Sequence, residues 1–420
     1  MTNRIFTLLI LLFFLPPFAY ADTLGSTKIS YSTGERSQTD AIEERDLSGS
    51  YTFHKYSIAV KAEPLEDFYY RAGAKYYKKD FDSKRNNMDN KTGLYDLSFS
   101  LPLYKAEESL ISLKGDCGLL NKRYENSPSS EYDKNSLSSG LVLDLYKRYS
   151  LKLLGGIKDY DYIKDASSDI LKSFIKIASS VKSSDGRFDL SGHYKRDWAD
   201  QAENKKDYTE DTFFFKTLLK LKMPLIYKLG IHFGTGRNDT RDSDEDREDN
   251  LRFSYRLWGV RTYHEFNKTV ETKISYSQAE RKYLTSINSY DNWSLKDETK
   301  FRILKDKPFD LDLLIGGGHK ETTFYENESL SYKKNSLSAG LNISERADWS
   351  FKPAFSFSKY KYLPGSTSNQ KSYKLKLNLK KYIGSTDKAL EAGYWHKWKD
   401  YKYKPDVEQW ALNLNFTLKF

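Results

Sequence analysis

Apolar and polar residues alternate along almost the whole chain beyond residue 24. Phe213, Phe215, Thr217, Leu219 and Leu221 alternate with Phe214, Lys216, Leu218, Lys220 and Lys222. Tyr373, Leu375, Leu377 and Leu379 alternate with Lys374, Lys376, Asn378 and Lys380. The last segment is the cleanest. Trp410, Leu412, Leu414, Phe416, Leu418 and Phe420 alternate with Ala411, Asn413, Asn415, Thr417 and Lys419. A period of two sends successive side chains to opposite faces of a strand, so each segment predicts a strand with one apolar face. No segment keeps a 3.6-residue period for three turns.

The connections come in two sizes. Long polar ones are centred near residues 40, 86, 130, 165, 205, 243, 287, 328, 367 and 404. Short ones lie between them, at 63–67, 104–109, 146–150, 183–187, 223–226, 266–269, 305–308, 344–348 and 384–388. The repeat is one of architecture, not of sequence: strand, long loop, strand, short turn. Ten units predict about 20 strands, roughly 18 to 22. The range comes from Leu47–Phe53, whose phase does not match Tyr56–Val60. That mismatch reads as a β-bulge at His54-Lys55. A propeller would need four short strands per ~40-residue period, and here there are two long ones.

Composition narrows the class. Aromatics make up 15% of the 420 residues, with 33 tyrosines, although the mean hydropathy is only −0.73. Disordered chains are depleted in aromatics. A membrane helix needs about 20 apolar residues in a row, and none occurs beyond the N-terminus. The single cysteine, Cys117, leaves no disulfide framework and no cysteine-based metal site. The N-terminus has its own signature. Arg4 precedes the apolar run Ile5–Leu15, which Pro16-Pro17 breaks, and Ala19-Tyr20-Ala21 supplies small residues. This predicts a secretory signal peptide over 1–21, cleaved after Ala21. A mature chain of 22–420 outside the cytoplasm follows.

Long strands, short turns on one side and long loops on the other predict an all-β transmembrane barrel, antiparallel and up-and-down. Aromatics near strand ends fit two interfacial girdles: Tyr76, Tyr160, Trp198, Tyr325 and Tyr362 on the loop side, and Tyr104, Tyr149, Tyr227, Trp349 and Trp410 on the turn side. The signal peptide, the unbroken β meander and the closing strand WALNLNFTLKF together resemble a Gram-negative outer-membrane β-barrel protein, porin-like in architecture. The resemblance covers residues 25–420. It implies location in the outer membrane, contact with lipid and lipopolysaccharide, and an assembly machinery that reads Trp410, Leu412, Leu414, Phe416, Leu418 and Phe420. No plug domain is expected ahead of the first strand.

The face opposite the lipid lines a lumen. Strand phase predicts inward bases at Lys114, Lys152, Lys172, Lys176, Lys216, Lys220, Arg252, Arg256, Lys273, Lys296, Lys300, Arg302, Lys352, Lys374 and Lys376. Inward acids are predicted at Asp96, Asp116, Asp189, Glu271, Glu298, Asp310, Asp312 and Glu391. The basic excess matches the chain, which has 68 basic and 58 acidic residues and a net charge of +10. A low-dielectric wall focuses such a field on anions. Lys216/Lys220 and Lys374/Lys376 are the inward bases least open to neutralisation within their own strand.

Other chemistry is weakly supported. Asp242–Asp246 opens like a calcium loop, but Arg247 and Phe253 stand where an EF-hand needs Gly and Glu. Asp189 and His193 share a strand face without a nucleophile pattern. Gly316-Gly317-Gly318 lies within a strand and makes no phosphate loop. The expectation is therefore a non-enzymatic channel for small hydrophilic, anionic solutes, with no cofactor, no metal and no nucleic-acid partner. Two alternatives remain open: an export conduit or scaffold for a polyanionic polymer working with periplasmic partners, and a non-conducting structural or adhesion barrel.

Overall fold

The computed structural model describes residues 24–39, 51–81, 89–125, 127–201, 207–221, 223, 226–240, 253–283, 289–305, 309–345, 348–363, 369–402 and 406–419. The expected signal peptide and the acidic 242–246 loop lie outside them. Twenty strands account for nearly all of the described chain. They are β1 (Leu24–Thr39), β2 (Tyr51–Leu65), β3 (Phe68–Phe81), β4 (Asn90–Ala106), β5 (Ser109–Tyr124), β6 (Tyr132–Leu145) and β7 (Tyr149–Tyr162). Next come β8 (Ile170–Lys182), β9 (Phe188–Gln201), β10 (Tyr208–Lys220), β11 (Ile226–Thr240), β12 (Phe253–Asn267), β13 (Val270–Tyr283) and β14 (Tyr290–Leu304). The last are β15 (Asp310–Phe324), β16 (Tyr332–Glu345), β17 (Trp349–Tyr362), β18 (Gln370–Ile383), β19 (Ser385–Tyr401) and β20 (Asp406–Lys419).

Each strand pairs antiparallel with the next, and β20 returns to β1 from Ser26 opposite Lys419 to Thr39 opposite Asp406. The sheet is a closed barrel with no free edge. Closure is what lets strands cross a bilayer, because lipid offers no partner for an open edge. The strands run from 13 residues in β8 to 17 in β4. About 9–11 tilted residues cross the hydrocarbon, so every strand extends past it at one rim or both.

The expected bulge at His54-Lys55 is absent. β2 pairs without a break from Tyr51 to Ala62 against β3, and from Tyr51 to Glu63 against β1. Tyr51, Phe53 and Lys55 simply share one face.

Turn chemistry explains the short connections. Tyr146 and Lys147 both have positive φ, 53° and 54°. The Arg148 N–H closes the turn on the Leu145 carbonyl at 3.1 Å. Two positive φ values define the type I′ hairpin turn, whose twist matches that of the strands. At 183–187 the Ser183 hydroxyl donates to Asp185 at 2.7 Å and the Arg187 N–H donates at 3.0 Å. These two donors hold the Asp185 carboxyl below the usual carboxylate range.

Large apolar side chains cover the outside. Leu137 and Leu337 are 57% and 59% exposed, and Ile29, Ile175, Phe233, Leu295 and Phe355 are also exposed. A continuous exposed apolar band of this kind fits lipid and not water. Above it, on the loop side, the outer face turns polar. Arg196 grips Asp211 with two bonds of 2.7 Å, Arg123 meets Asp133 at 2.7 Å, and Lys333 meets Glu321 at 2.9 Å.

Candidate functional site: the lumen wall

Cross-strand partners in an antiparallel sheet share a face. From Lys374 the row runs to Lys397, Gln409, Arg36, Tyr51 and Phe81. Continued through every ladder, it returns to Ser356 and Lys374. A concavity of about 530 Å³ identifies this row as the inside. It spans seven strands, β11 to β17, and its lining includes His232, Arg261, Lys273, Ser275, Lys296 and Ser338 from the same row. Only the inner surface of a closed barrel is concave across seven strands.

Thirteen of the fifteen bases expected inside fall on this row: Lys114, Lys152, Lys172, Lys176, Lys216, Lys220, Lys273, Lys296, Lys300, Arg302, Lys352, Lys374 and Lys376. Arg252 lies outside the described residues. Arg256 is a correction. It pairs with Thr235 and Glu280, on the outer row with Phe213 and Trp258. In β12 the inner positions are Phe253, Tyr255, Leu257, Gly259 and Arg261, so the phase assigned to this strand was inverted.

Some inner charges are neutralised. Lys300 meets Asp312 at 2.9 Å, Arg302 pairs with Glu271, and Lys380 meets Glu391 at 3.1 Å. Among the described residues no carboxylate is ion-paired with Lys152, Lys172, Lys176, Lys216, Lys220, Lys296, Lys352, Lys374 or Lys376. The two pairs singled out from the sequence do not form one cluster. Lys216 and Lys220 are on β10, and Lys374 and Lys376 are eight strands away on β18. Lys374 lies 4.9 Å from the centre of the Trp395 ring.

The inner wall also holds residues that sequence reasoning missed. Near the long loops it is aromatic. The rings of Tyr51 and Phe81 meet tilted at 5.3 Å between centres, those of Phe253 and Tyr283 at 5.4 Å, and those of Tyr290 and Phe324 at 5.5 Å. Cations lie over these rings: Lys79 is 3.7 Å from Tyr51, and Arg281 is 4.4 Å from Phe253. At such distances the ring quadrupole attracts the charge. Tyr160 and Tyr362, expected in the outer girdle, belong to this inner collar, opposite Lys134 and Tyr332. Tyr76 and Trp198 do lie on the outer row, and Tyr325, just past the end of β15, donates its hydroxyl to the outer-row Asp291.

Inner glycines make room for the collar. The Phe53 ring lies 2.7 Å from where a Cβ on Gly34 would sit, and the Tyr255 ring closes on Gly236 in the same way. Any side chain at either glycine would displace that ring.

Trp410, Leu412, Leu414, Phe416 and Leu418 occupy the outer row of β20, while Phe420 lies outside the described residues. Asp189 and His193 share the inner row of β9. Among the described residues no group of three or more His, Cys, Asp or Glu is arranged to hold a metal.

No family model matches the chain, and no curated protein matches it. Solved structures do. The outer membrane transporter YddB from Escherichia coli aligns with a TM-score of 0.55 and 8% identity, over 94% of this chain and 81% of that one. OpdQ from Pseudomonas aeruginosa aligns with a TM-score of 0.51 and 11% identity, over 96% of this chain and 100% of that one. OpdO from the same organism gives 0.51 and 9%, over 95% and 98%. At these identities the likeness concerns the fold, which is that of outer-membrane β-barrels.

Proposed function

We propose that the chain is a passive outer-membrane channel for small hydrophilic solutes, with anions favoured. One observation carries the reading: among the described residues, the inner wall bears lysines from many strands with no carboxylate ion-paired to them. Lys152, Lys172, Lys176, Lys216, Lys296, Lys352 and Lys376 leave their positive charge to the lumen. In a narrow aqueous path through a low-dielectric wall, that charge raises the local concentration of anions. The same reading takes residues 1–21 as an export signal. It takes the outer row of β20, with Phe420, as the assembly signal, and lipopolysaccharide as the neighbour of the polar outer rim.

The test is planar-bilayer recording of the refolded barrel. Stable unitary conductance in KCl supports a channel. A folded barrel that inserts without conducting would leave a structural role instead.

A further inference from the structure

The chain repeats itself at an offset of 200 residues. Tyr132-Asp-Lys-Asn-Ser-Leu-Ser-Ser-Gly-Leu141 recurs as Tyr332-Lys-Lys-Asn-Ser-Leu-Ser-Ala-Gly-Leu341, differing only at 133/333 and 139/339. Tyr160 and Tyr162 recur as Tyr360 and Tyr362; Tyr194, Trp198 and Asp200 recur as Tyr394, Trp398 and Asp400. The repeat is therefore written in sequence as well as in architecture, against the reading made from connections alone. Its unit is ten strands. In a closed ring of twenty, β6–β7 and β16–β17 stand on opposite walls, related by a pseudo-twofold axis along the barrel.

The geometry repeats as closely as the sequence. Tyr132 and Tyr160 have ring centres 6.0 Å apart at 44°, and Tyr332 and Tyr360 are 6.0 Å apart at 45°. Tyr132 and Tyr162 are 5.4 Å apart, and Tyr332 and Tyr362 are 5.3 Å apart. The Lys134 ammonium lies 4.8 Å from the Tyr160 ring, and that of Lys334 lies 5.0 Å from Tyr360. The Ser136 hydroxyl donates to the Gly118 carbonyl at 3.3 Å, as Ser336 does to Gly318.

The outer face of the same strands has diverged. Asp133 faces Asp161 where the other copy has Lys333 facing Lys361. Near the mouth, charge has reversed outside at 133/333 and 161/361 while Tyr132, Lys134, Tyr160 and Tyr162 have stayed identical inside; deeper in β7 and β17 the inner residues differ, with Gly156 and Lys158 where the other copy has Ser356 and Ser358. The conserved inner set at the mouth, beside reversed charge outside, points to a common occupant of the lumen there. Neither Lys134 nor Lys334 is ion-paired with a carboxylate among the described residues. The site offers a cation, tyrosine ring faces and hydroxyls, which together suit a sugar ring carrying a carboxylate.

We propose that the outer mouth holds two equivalent binding sites for an acidic saccharide, one on each wall, centred on Lys134 with Tyr132, Tyr160 and Tyr162 and on Lys334 with Tyr332, Tyr360 and Tyr362. This rests on reading the lumen as a solute path. Titration calorimetry of the detergent-solubilised full barrel with trigalacturonate tests it without needing conductance. The expected stoichiometry is two sites in the wild type, one in Lys134→Met, one in Lys334→Met and none in the double variant. Tyr160→Leu and Tyr360→Leu should each remove one site as well. Heat-modifiable migration and a wild-type β-sheet circular dichroism spectrum check that the lysine variants fold. Equal binding of maltotriose, tighter binding of benzoate, or no loss of sites in the double lysine variant would overturn the assignment. An absence of conductance in a barrel that binds two trigalacturonates would count against the channel and not against the sites.

Discussion

Leu377 and Asn378 are neighbours in β18 and leave the wall on opposite sides. Leu377 stands opposite Pro353 and Tyr394 on the outer row, and Asn378 stands opposite Lys352 and Gly393 on the inner row. A charge on the lipid face at the bilayer midplane costs about 2–4 kcal/mol, whereas the lumen face is hydrated. Leu377→Arg should destabilise the folded barrel in vesicles by about 2–4 kcal/mol. Asn378→Arg should leave it within about 0.5 kcal/mol of wild type. Urea titration of bilayer-inserted protein measures both. Equal tolerance would mean that the faces are reversed.

The seam between β1 and β20 joins the two ends of the sheet. Leu414 stands opposite Tyr31 and Phe416 opposite Ile29. Phe420→Asp, or removal of Phe420, should reduce the amount of heat-modifiable barrel in outer-membrane fractions several-fold. Export into the periplasm should be unaffected. Normal surface labelling of the truncated chain would remove Phe420 from the assembly signal.

The Tyr146-Lys147 turn holds two ordinary residues in the left-handed region. That conformation costs roughly 1–2 kcal/mol per residue, and Asn-Gly relieves it. The double substitution Tyr146→Asn, Lys147→Gly should stabilise the barrel by about 1–3 kcal/mol. The readout is a higher urea midpoint with an unchanged slope. A lower midpoint would show that the two side chains contribute more than the turn strain removes.

Strand class and strand number were legible because the outer face obeys one rule. Most positions facing lipid are apolar, so Tyr373 to Leu379 and Trp410 to Leu418 alternate cleanly; Asp297, mid-strand on the outer row opposite Ile274 and Gly317, departs from the rule. The rule failed where the inside is also apolar. At the outer mouth Tyr51 and Phe53 in β2, and Phe253 and Tyr255 in β12, are aromatic and inward. Apolarity then ceased to report the face. This single cause produced both the false bulge at His54-Lys55 and the inverted phase of Arg256. The two proposed sites are related by the ten-strand repeat. The repeat shows in sequence only at an offset of 200 residues, far beyond the spacing of the connections. Which inner lysines find a carboxylate was not legible from single strands. Lys300 meets Asp312 from the neighbouring strand, and that depends on register.

The central claim is that unpaired inner lysines set the ion preference of an open lumen. Lys216 and Lys220 on β10 and Lys374 and Lys376 on β18 present four such charges on two walls. Changing all four to Glu alters the wall charge by −8. At 0.15 M salt, screening over about 8 Å mutes the effect in a wide pore, so the comparison belongs at low ionic strength. The deciding measurement is the reversal potential of the reconstituted barrel across a KCl gradient. The wild type should give the sign of chloride preference, and the Lys216→Glu, Lys220→Glu, Lys374→Glu, Lys376→Glu variant should move clearly toward potassium. Identical reversal potentials for the two proteins at low salt would contradict the account.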